Sequence, residues 1–415
     1  MSGRQMKVIV IGAGTGGLCL AHGLRASGID VRVYERDHTP TDRLQGYRLN
    51  ISTTGNSALA ACLPKANYDR FVAASAKAST AVTFLDQDLK RLLRMDVPVV
   101  ERALLESNRP VSRIALRKVL IDGMEDLTTF GRTFKSYHDE PDGKVTAQFE
   151  DGSSESADVL VGADGASSRV ARQLLPNATR VDTGVVAISG RFPLDETARR
   201  ETPGAVLLGP TLIMGPPGRF MFASAIEYPP EAVTIYDSDQ YVMWGFSIRR
   251  ELLEPNCVPE QLDAEAARGL VMQQTQGWAP AIRRMVERAD AAFMTAFAVK
   301  SATPIAPWAT RNVTLLGDAL HNMTPFRGKG ANTALRDAHA LRDALVAVGR
   351  EQGALIPALA SYERDMIQHG FTAVRESLAN MQRLHSRSPL ARFAAKTWFH
   401  LADSIPALQK RMRPD

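Results

Sequence analysis

Two glycine-rich segments lie far apart in this chain: GAGTGG at Gly12 to Gly17 and GDALHNMTPFRGKGAN at Gly317 to Asn332. The first matches the pattern GxGxxG, with its middle glycine at Gly14. Glycine permits the tight turn of such a loop, and it lets backbone N–H groups and a helix N-terminus approach a pyrophosphate. The first segment therefore predicts a dinucleotide site, and the second indicates that the far end of the chain returns to complete it.

An acidic side chain follows the first segment where a dinucleotide site needs one. Glu35 ends the apolar run Val31 to Tyr34, and Arg36 comes directly after it. A carboxylate at the end of this second strand accepts hydrogen bonds from a ribose. Because position 35 is acidic and not basic, the pattern favours the free ribose diol of FAD or NAD over a ribose with a 2′-phosphate.

Short apolar runs are expected to position these residues as strands of a parallel sheet. Lys7 to Ile11 is one continuous run, as a strand buried on both faces would be, and the glycines after it open a helix. Leu160 to Val161 and Val313 to Leu316 are similar runs that lead to a glycine and an aspartate. These segments predict an α/β fold with a βαβ start.

The stretches between these runs alternate between apolar and polar residues, which is typical of antiparallel strands. Alternation extends over Ala81 to Leu93 and over Val185 to Ile248. Within the second stretch, Val206 to Leu208, Phe220 to Ile226 and Tyr241 to Ile248 are predicted strands because turn signals separate them. A β-rich domain is thus expected to interrupt the nucleotide-binding domain twice.

The chain is long enough for more than one core, since single cores stop growing at roughly 250 to 300 residues. We predict a nucleotide-binding domain, a β-rich substrate domain and a C-terminal helical segment. Their predicted bounds are 1–75, 111–182 and 297–345 for the first, 76–110 and 183–296 for the second, and 346–415 for the third.

Composition narrows the partners and the compartment. The 50 Lys and Arg against 45 Asp and Glu give a net charge of +5, but the basic residues are scattered, which favours a solvated surface over nucleic-acid binding. Cys19, Cys62 and Cys257 are not in metal-ligand spacing, and they suggest a reduced, cytoplasmic chain. No apolar run is long enough to predict a membrane span. A monomer or a homodimer is expected.

Two further segments complete a pattern of motifs. VLVGADGASSRVARQL, from Val159 to Leu174, resembles the DG motif DGxxSxhR of class A flavoprotein monooxygenases, the aromatic hydroxylase family. SRIALRKVL, from Ser112, resembles that family's RxxLxxxL segment, and the stretch from Gly317 resembles its GD motif. With GxGxxG, the four motifs occur in the family's order. The resemblance implies a p-hydroxybenzoate hydroxylase-like fold: a Rossmann-type, GR2-like FAD-binding domain interleaved with an antiparallel β-sheet substrate domain, followed by C-terminal helices.

The same resemblance implies FAD as the cofactor and gives roles to individual residues. Asp318 would accept hydrogen bonds from the ribityl chain, and Arg113 would lie along the cofactor. Asp164 would support the junction of cofactor and nicotinamide binding, unless it serves only its own turn. The predicted cofactor-binding positions are Gly12, Gly14, Gly17, Glu35, Arg36, Gly46, Arg113, Asp164, Gly165, Gly317, Asp318, Gly330, Ala331 and Asn332.

Four positions are predicted to lie at the reactive part of the flavin. Pro325 would fix the backbone beside the reactive edge, and Gly328 and Gly330 would bring N–H groups to the pyrimidine ring, where reduction places negative charge. The segment RLQGYRLNIS, from Arg43, resembles the loop that passes the isoalloxazine in this family. Within it Arg48 would suit a phenolate, carboxylate or enolate if it points inward, and a surface position is the alternative.

Substrate is expected between the flavin and the antiparallel sheet. Tyr47 is the candidate from the flavin loop, and Phe222, Trp244 and Phe246 are the candidates from the sheet. Core packing is an equal alternative for the three sheet residues.

Several positions stand apart from the family pattern or have an open role. Ala171 occupies the arginine position of the DG motif, and Lys329 and Arg336 add positive charge to the GD motif. That charge would favour an anionic reduced flavin or an acidic substrate, or it is solvated surface. His321 is expected to be structural. The helix from Leu390 is expected to dock on the sheet domain, with membrane-surface attachment as the alternative.

The reaction follows from the resemblance. NADPH or NADH would reduce FAD, and O2 would be the co-substrate. A flavin C4a-hydroperoxide would then hydroxylate an aromatic or polyketide-like small molecule. The alternatives are a flavin-dependent halogenase or reductase on the same scaffold, weakened by the lack of a WxWxIP segment, and an FAD-binding relative without turnover.

Overall fold

A computed structural model describes residues 5–40, 42, 48–97, 105, 107–230, 239–351 and 353–405. The chain divides into two compact units, each assembled from separate stretches. Unit 1 comprises Met1–Ser75, Arg102–Val181 and Lys300–Leu378, and unit 2 comprises Ala76–Glu101, Asp182–Val299 and Ala379–Asp415. Residues 346–415, which the sequence sets apart as a helical segment, are divided between the two units after Leu378.

Strands are numbered in chain order among the described residues. They are β1 Lys7–Ile11, β2 Asp30–Tyr34, β3 Arg48–Ile51, β4 Ala81–Asp86, β5 Arg91–Asp96, β6 Arg109–Ser112, β7 Thr128–Thr129, β8 Phe134–Asp139, β9 Val145–Phe149, β10 Ser154–Ala157, β11 Val159–Gly162, β12 Arg180–Pro193, β13 Thr211–Met214, β14 Arg219–Ile226, β15 Tyr241–Arg249, β16 Thr295–Ala302 and β17 Val313–Leu315.

Helices are numbered in the same way. They are α1 Thr15–Ala26, α2 Thr53–Cys62, α3 Lys65–Ala73, α4 Arg113–Ile121, α5 Arg169–Leu174, α6 Glu196–Glu201, α7 Gly204–Leu208, α8 Ala264–Gln274, α9 Pro280–Glu287, α10 Asp318–His321, α11 Gly330–Glu351, α12 Leu355–Leu384 and α13 Pro389–Ser404.

Unit 1 is built on a parallel five-stranded sheet in the order β17-β11-β1-β2-β7. Val8, Ile9 and Val10 of the central strand β1 have no solvent exposure, as a strand covered on both faces requires. Val8 pairs with Val159 of β11, and Leu160 of β11 pairs with Val313 of β17. The sheet therefore joins the N-terminal, middle and C-terminal parts of the chain, so that their strand ends meet at one edge.

Two smaller sheets complete unit 1. Strands β8, β9 and β10 form an antiparallel meander, and β3 pairs with β6 in an antiparallel ladder that sets Arg48 opposite Ser112. The Ser112 side chain accepts a hydrogen bond from the backbone N–H of Ile114 and so caps helix α4. This cap begins the helix at Arg113, the arginine singled out by its motif.

Unit 2 holds a seven-stranded sheet in the order β16-β12-β15-β14-β13-β4-β5. One face of this sheet, including Ile188, Met221 and Ile213, packs in a core with Ile282 and Met285 of helix α9. The predicted strands over 220–226 and 241–248 are present as β14 and β15. The fold class predicted above, α/β with an interleaved antiparallel sheet and C-terminal helices, is confirmed.

The predicted strand Val206 to Leu208 is wrong, because these residues belong to helix α7. Pro203 lies at the N-terminus of this helix, and Gly209 ends it with a φ of 150°. The strand that the turn signals predicted begins after this glycine, as β13. The three apolar residues fit either element, and their flanking proline and glycine decide for a short helix.

Helix α13 packs within unit 2 and also carries exposed apolar side chains. Ala402 is fully buried in a cluster with Leu93 and Met95 of β5, and the Phe399 ring lies 4.6 Å from the Phe84 ring between centroids. The helix also exposes apolar side chains, with 46% to 82% relative accessibility: Leu390, Phe393, Trp398 and Leu401. Across the described ranges, no helix combines the length and apolar character needed to cross a membrane.

Candidate cofactor site

The GxGxxG loop joins strand β1 to helix α1. At its first and third glycines the surrounding backbone is too close to leave room for a side chain. A Cβ added to Gly12 would lie 2.4 Å from the backbone oxygen of Ala163, and Gly12 has a φ of 110°. A Cβ added to Gly17 would lie 2.1 Å from the backbone oxygen of Gly12. A Cβ at Gly14 would meet nothing within 4 Å. The first and third glycines thus close the packing, and the middle glycine faces open space.

Glu35 lies at the rim of this loop, as predicted for a ribose-binding carboxylate. It is only 9% exposed, and its two oxygens accept the backbone N–H groups of Ala13 at 2.8 Å and of Asp37 at 3.0 Å. These bonds fix the carboxylate beside the N-terminus of α1. Because a carboxylate oxygen can accept more than one hydrogen bond, both oxygens retain capacity for a diol.

A cavity of about 350 Å³ opens at this edge of the sheet and is lined by the loop, Glu35, α4 and the DG segment. Its wall includes the basic side chains of Arg36, Arg113 and Lys118. None of these three makes an ion pair with another described residue. No side chain caps helix α1, so its first N–H groups remain available beside these cations. The cavity is suited to an anion such as a pyrophosphate.

The other basic side chains of the wall have acidic partners. Arg117 lies 3.3 Å from Asp37, and Arg132 lies 2.9 Å from Asp151. Arg169 is paired with Glu150 and donates to the Phe134 backbone oxygen at 2.8 Å. These pairs hold the wall together, and they leave the three cations named above for a ligand.

The DG segment contributes a turn that its aspartate stabilises internally. Asp164 accepts the Ser168 hydroxyl, and it accepts the backbone N–H of Arg169 at 2.7 Å, at the start of helix α5. Burial raises the pKa of the Asp164 carboxyl, and these hydrogen bonds oppose the rise. Gly165 follows with a φ of 74°. Both residues line the cavity, and the described contacts of Asp164 are those of a turn.

Ala171, which replaces the expected arginine of the motif, is 7% exposed inside helix α5. Its neighbour Arg169 lines the cavity, whereas Arg172 contacts the backbone oxygen of Ser167 at 3.4 Å. Arg169 is therefore the arginine of this segment that faces the cofactor cavity.

The GD segment brings the C-terminal half of the chain to the same edge. Gly317 adopts a φ of 63°, and helix α10 begins at Asp318. A Cβ added to Gly330 would lie 3.8 Å from Asp318 Oδ1, so this carboxylate lies beside the N-terminus of helix α11. Desolvation by the surrounding protein raises the pKa of the Asp318 carboxyl, and the charges of His321 and Arg113 oppose the rise. The side chain is exposed at the site, so it can accept hydrogen bonds there.

Helix α11 connects this segment to the GxGxxG helix and to strand β3. A Cβ added to Gly16 would lie 2.7 Å from Leu316 and 3.2 Å from the Ala334 backbone oxygen. Asn332 accepts the Ser52 backbone N–H at 2.8 Å and donates to the Asn50 backbone oxygen at 2.9 Å. Ala331 lies in the first turn of the helix. The two distant glycine-rich segments are therefore packed side by side in unit 1.

The loop before α11 is held by helix α12. Pro325 begins a 3-10 helix that ends at Gly328, whose φ is 60°. Ser377 donates to the Thr324 backbone oxygen at 2.6 Å, and Arg327 pairs with Glu376. The sequence did not predict these contacts between the loop and helix α12, because the GD motif contains no information about residues so far along the chain.

A buried aspartate, Asp337, was also missed. It has no exposure and accepts the Gly317 backbone N–H at 2.8 Å, His321 Nε2 at 2.6 Å and His369 Nε2 at 2.8 Å. The signal in the sequence is an acid among the apolar positions Leu335, Ala338 and Leu341 of an otherwise amphipathic helix.

The extra charges of the GD segment have different surroundings. Arg336 lies 3.1 Å from Asp365, so it is an internal ion pair of unit 1. Lys329 is exposed. The charge of Arg336 is therefore explained by its ion pair, and the charge of Lys329 by its position on the solvated surface.

The flavin-loop candidates are only partly described. Gly46 and Tyr47 lie outside the described residues. Arg48 begins β3 directly beside Ser112 in the ladder, next to Arg113, and is half-buried.

Two sheet candidates for substrate contact are corrected. Trp244 and Phe246 have no solvent exposure and belong to the core of unit 2, where the Phe246 and Trp278 rings lie 6.1 Å apart between centroids. They lie on the helix-covered face, because alternate residues of a strand point to opposite faces. Phe222 is half-buried, and its neighbours Met221 and Ala223 in the same strand belong to that core. Phe222 therefore points to the other face.

The residues present fit FAD. The Glu35 carboxylate suits the ribose of that cofactor, and the glycine loop with its neighbouring cations suits the pyrophosphate. The Asp318 carboxylate, beside the N-terminus of α11, suits the ribityl chain. The fold and the site define the class, a GR2-like flavoprotein. The family model described as "FAD binding domain" matches residues 5–195 and 256–377, so the chain belongs to this family. The resemblance to class A flavoprotein monooxygenases and the prediction of FAD are confirmed.

Two curated relatives illustrate the similarity. The dual O-methyltransferase/FAD-dependent monooxygenase CTB3 of Cercospora beticola is 32% identical over 86% of this chain and 44% of its own length. The 3-amino-4-hydroxybenzoate 2-monooxygenase PtmB3 of Streptomyces platensis is 29% identical over 88% of this chain and 84% of its own. The chain spans less than half the length of the dual fungal enzymes that it matches.

A solved structure extends the likeness to the whole fold. A Photorhabdus luminescens subsp. laumondii protein, provisionally assigned as an FAD-containing monooxygenase, superimposes with a TM-score of 0.83. It is 34% identical in sequence, and the match covers 92% of this chain and 98% of that one.

Proposed function

We propose that this protein is an FAD-dependent monooxygenase that consumes NADPH or NADH and O2 and hydroxylates an aromatic or polyketide-like small molecule. The observation that carries the proposal is the joining of the GxGxxG loop and the GD segment into one site with Asp318 beside the N-terminus of α11. The relatives named above are all described as monooxygenases, and one of them is named for a hydroxybenzoate.

FAD, when bound, supplies the electron transfer from the nicotinamide and the activation of oxygen. The protein's own residues bind and orient it. Arg36, Arg113 and Lys118 offer donors for the pyrophosphate, and Glu35 offers acceptors for the ribose. Asp318 offers acceptors for the ribityl chain.

The N-terminus of helix α11 supplies a fixed positive potential beside the site, because its first N–H groups have no partner within the helix. Gly330 and Ala331 place this end there, and Asn332 anchors it to residues 50 and 52. This potential would stabilise negative charge on a flavin ring bound beside it, without reorganisation of the protein. Pro325 and Gly328 shape the adjoining loop.

Candidate substrate contacts come from the flavin loop and from the sheet of unit 2. Arg48 suits an ionised phenol, carboxylate or enolate, and Phe222 lies on the sheet face opposite the core of unit 2. Tyr47 and Gly46 remain predictions. We also propose a reducing compartment such as the cytoplasm, because Cys19, Cys62 and Cys257 are free thiols, and a monomeric or homodimeric enzyme.

The test begins with the purified protein and its visible spectrum. We expect bound FAD, substrate-stimulated oxidation of NADPH or NADH, and one atom from labelled O2 in a product when phenols and polycyclic enols are offered. Halide-dependent halogenated product would favour the halogenase alternative, and FAD without any turnover would favour the non-catalytic one. A protein that cannot be reconstituted with FAD would refute the entire proposal.

The assignment of Asp318 has its own variant pair. Asp318→Ala should lower FAD occupancy, because an acceptor of the ribityl chain is lost. Asp69→Ala is the control, since this aspartate is an exposed acid of the same unit, paired with Lys65 at 2.6 Å. Full occupancy in Asp318→Ala would place the ribityl contact elsewhere.

A further inference from the structure

A buried carboxylate and two histidines connect the GD segment to helix α12. The hydrogen bonds of Asp337 to Gly317, His321 and His369 draw together the start of α10, the middle of α11 and the middle of α12. All four residues of this contact lie in unit 1. Gly317 directly precedes Asp318, so the position of the Asp318 backbone depends on this carboxylate.

The hydrogen-bond geometry assigns the proton state of His369. Its Nδ1 lies 2.7 Å from the backbone oxygen of Asp365, and a carbonyl oxygen can only accept. Its Nε2 lies 2.8 Å from Asp337 Oδ1, which accepts when the carboxyl is ionised. Both ring nitrogens therefore donate, and a histidine that donates from both nitrogens is a cation. Its side chain is 20% exposed, so a proton can exchange with water.

His321 has a different role in the cluster. Its Nε2 donates to Asp337, and its Nδ1 is buried without a hydrogen-bond partner among the described residues, so the neutral ring suffices. Burial lowers the pKa of His321, but the charge and hydrogen bond of Asp337 and the charge of Asp318 outweigh it and raise the pKa above 6.5.

The close packing of His321 shows that the cluster is built into the fold. A Cβ added to Gly370 would lie 2.5 Å from His321 Cδ2. Glycine inside a helix costs about 0.5 to 1 kcal/mol relative to alanine. Helix α12 has glycine where the His321 ring packs against it. A larger residue at position 370 would collide with the ring.

The groups around His369 alternate in charge. Arg336 of α11 lies 3.1 Å from Asp365 of α12, and Asp365 lies 3.6 Å from His369 Nδ1. Tyr362 of α12 donates to the Leu315 backbone oxygen, and burial raises its pKa well above 10, so it stays neutral. From the GD segment, His321 donates to the same carboxylate, and the charge of Asp318 acts on His321. The His369 cation therefore contributes to balancing the charge of Asp337, together with His321.

We propose that Asp337 and His369 are positioning residues that hold Gly317 and Asp318 in the FAD-binding conformation, and that this hold requires the proton on His369. Loss of that proton removes one donor and leaves the buried charge of Asp337 with less compensation. FAD affinity is therefore full while both ring nitrogens of His369 carry a proton, and it falls when rising pH removes one of them. The proposal rests on FAD binding and not on the reaction that follows.

The test measures FAD affinity of the apoprotein by flavin fluorescence from about pH 6 to about pH 9, the range in which histidine titrates. The natural protein should lose about tenfold in affinity across this range, the loss expected for one charge-assisted hydrogen bond. His369→Gln keeps an N–H donor for Asp337 but has no titrating proton, so its affinity should depend on pH clearly less than that of the natural protein, and the dependence that remains should come from His321. His369→Leu should bind FAD weakly throughout.

A matched control is present on helix α11. His339 is 35% exposed and lies 3.3 Å from Asp343, and within the described ranges it makes no hydrogen bond or ion pair with the cluster. His339→Gln should therefore retain the pH dependence of the natural protein. The visible circular dichroism of the bound flavin, read in the same samples, reports its environment independently of turnover. A natural protein with constant affinity, or a His369→Gln variant that keeps the full dependence, would overturn the proposal even if the enzyme proves to be a monooxygenase.

Discussion

Substitution of two glycines of one motif should separate protein stability from cofactor affinity. The pattern GxGxxG treats Gly14 and Gly17 alike, but their surroundings differ. A Cβ at Gly17 would lie 2.1 Å from the Gly12 backbone oxygen and 3.2 Å from the Ala163 Cβ. A Cβ at Gly14 would meet nothing within 4 Å, and this glycine lines the cofactor cavity. Gly17→Ala should damage the fold, and Gly14→Ala should damage the site.

The expected magnitudes follow from these distances. Overpacking costs about 1 to 3 kcal/mol, and the upper value applies to Gly17→Ala because its clash is with backbone that cannot rotate away. Gly14 has a φ of −81°, which alanine adopts freely, so the loss of stability in Gly14→Ala should stay below about 1 kcal/mol. Its added methyl group should keep a phosphate from the N–H groups, at about 1.5 to 3 kcal/mol, or about ten- to a hundredfold in affinity.

Two measurements on the apoproteins distinguish these effects. Thermal unfolding should shift by about 6 to 12 °C for Gly17→Ala at about 2 to 4 °C per kcal/mol, and by a few degrees at most for Gly14→Ala. FAD titration should show the reverse order for any Gly17→Ala protein that remains folded. Hydrogen exchange within α1 locates the loss of stability. Equal unfolding temperatures for the two variants would refute the reasoning about Gly17.

Two further predictions concern unit 2. Burial lowers the pKa of His385, which contacts Ser247 at 2.8 Å, from 6.5 to about 4. The unfolded chain therefore binds a proton below pH 6.5 that the folded chain does not, and about 3 kcal/mol should be lost as the pH falls to about 4. His385→Gln should flatten this part of the pH profile of unfolding, and an unchanged profile would contradict the assignment. On helix α13, Phe399→Ala should destabilise by about 2 kcal/mol because Phe399 packs on Phe84. Phe393→Ala, at a side chain of 72% exposure, should change stability by less than about 0.5 kcal/mol, and equal effects of the two would contradict the docking of this helix.

Local rules were enough for the parts of the site that depend on backbone geometry. Gly12, Gly17 and Gly317 are needed where the chain turns or approaches itself, and such needs follow from short patterns. The apolar runs Leu160 to Val161 and Val313 to Leu316 likewise predicted strands, and both are present as β11 and β17.

Other features depend on contacts that no short pattern contains. Alternation separates the two faces of β15, but it does not tell which face meets helices, and so substrate contact and core packing stayed equal alternatives for Trp244 and Phe246 until the structure placed both in the core. The contact of Asp337 with His369 joins two helices across a long stretch of sequence. An acid on an apolar helix face is a usable signal for such a contact, but it does not name the partner.

The order of strands in unit 1 has a consequence for synthesis of the chain. β17, which pairs with β11, comes from Val313–Leu315, whereas β11 is complete at Gly162. During translation β11 therefore presents an unpaired edge while the whole of β12 to β16 emerges, and such edges are prone to wrong pairing. A nascent chain that stops before Leu315 holds its first glycine loop without the second. Retention of FAD in the cell should then report synthesis past Asn332, since the proposed cofactor site needs the second glycine-rich segment.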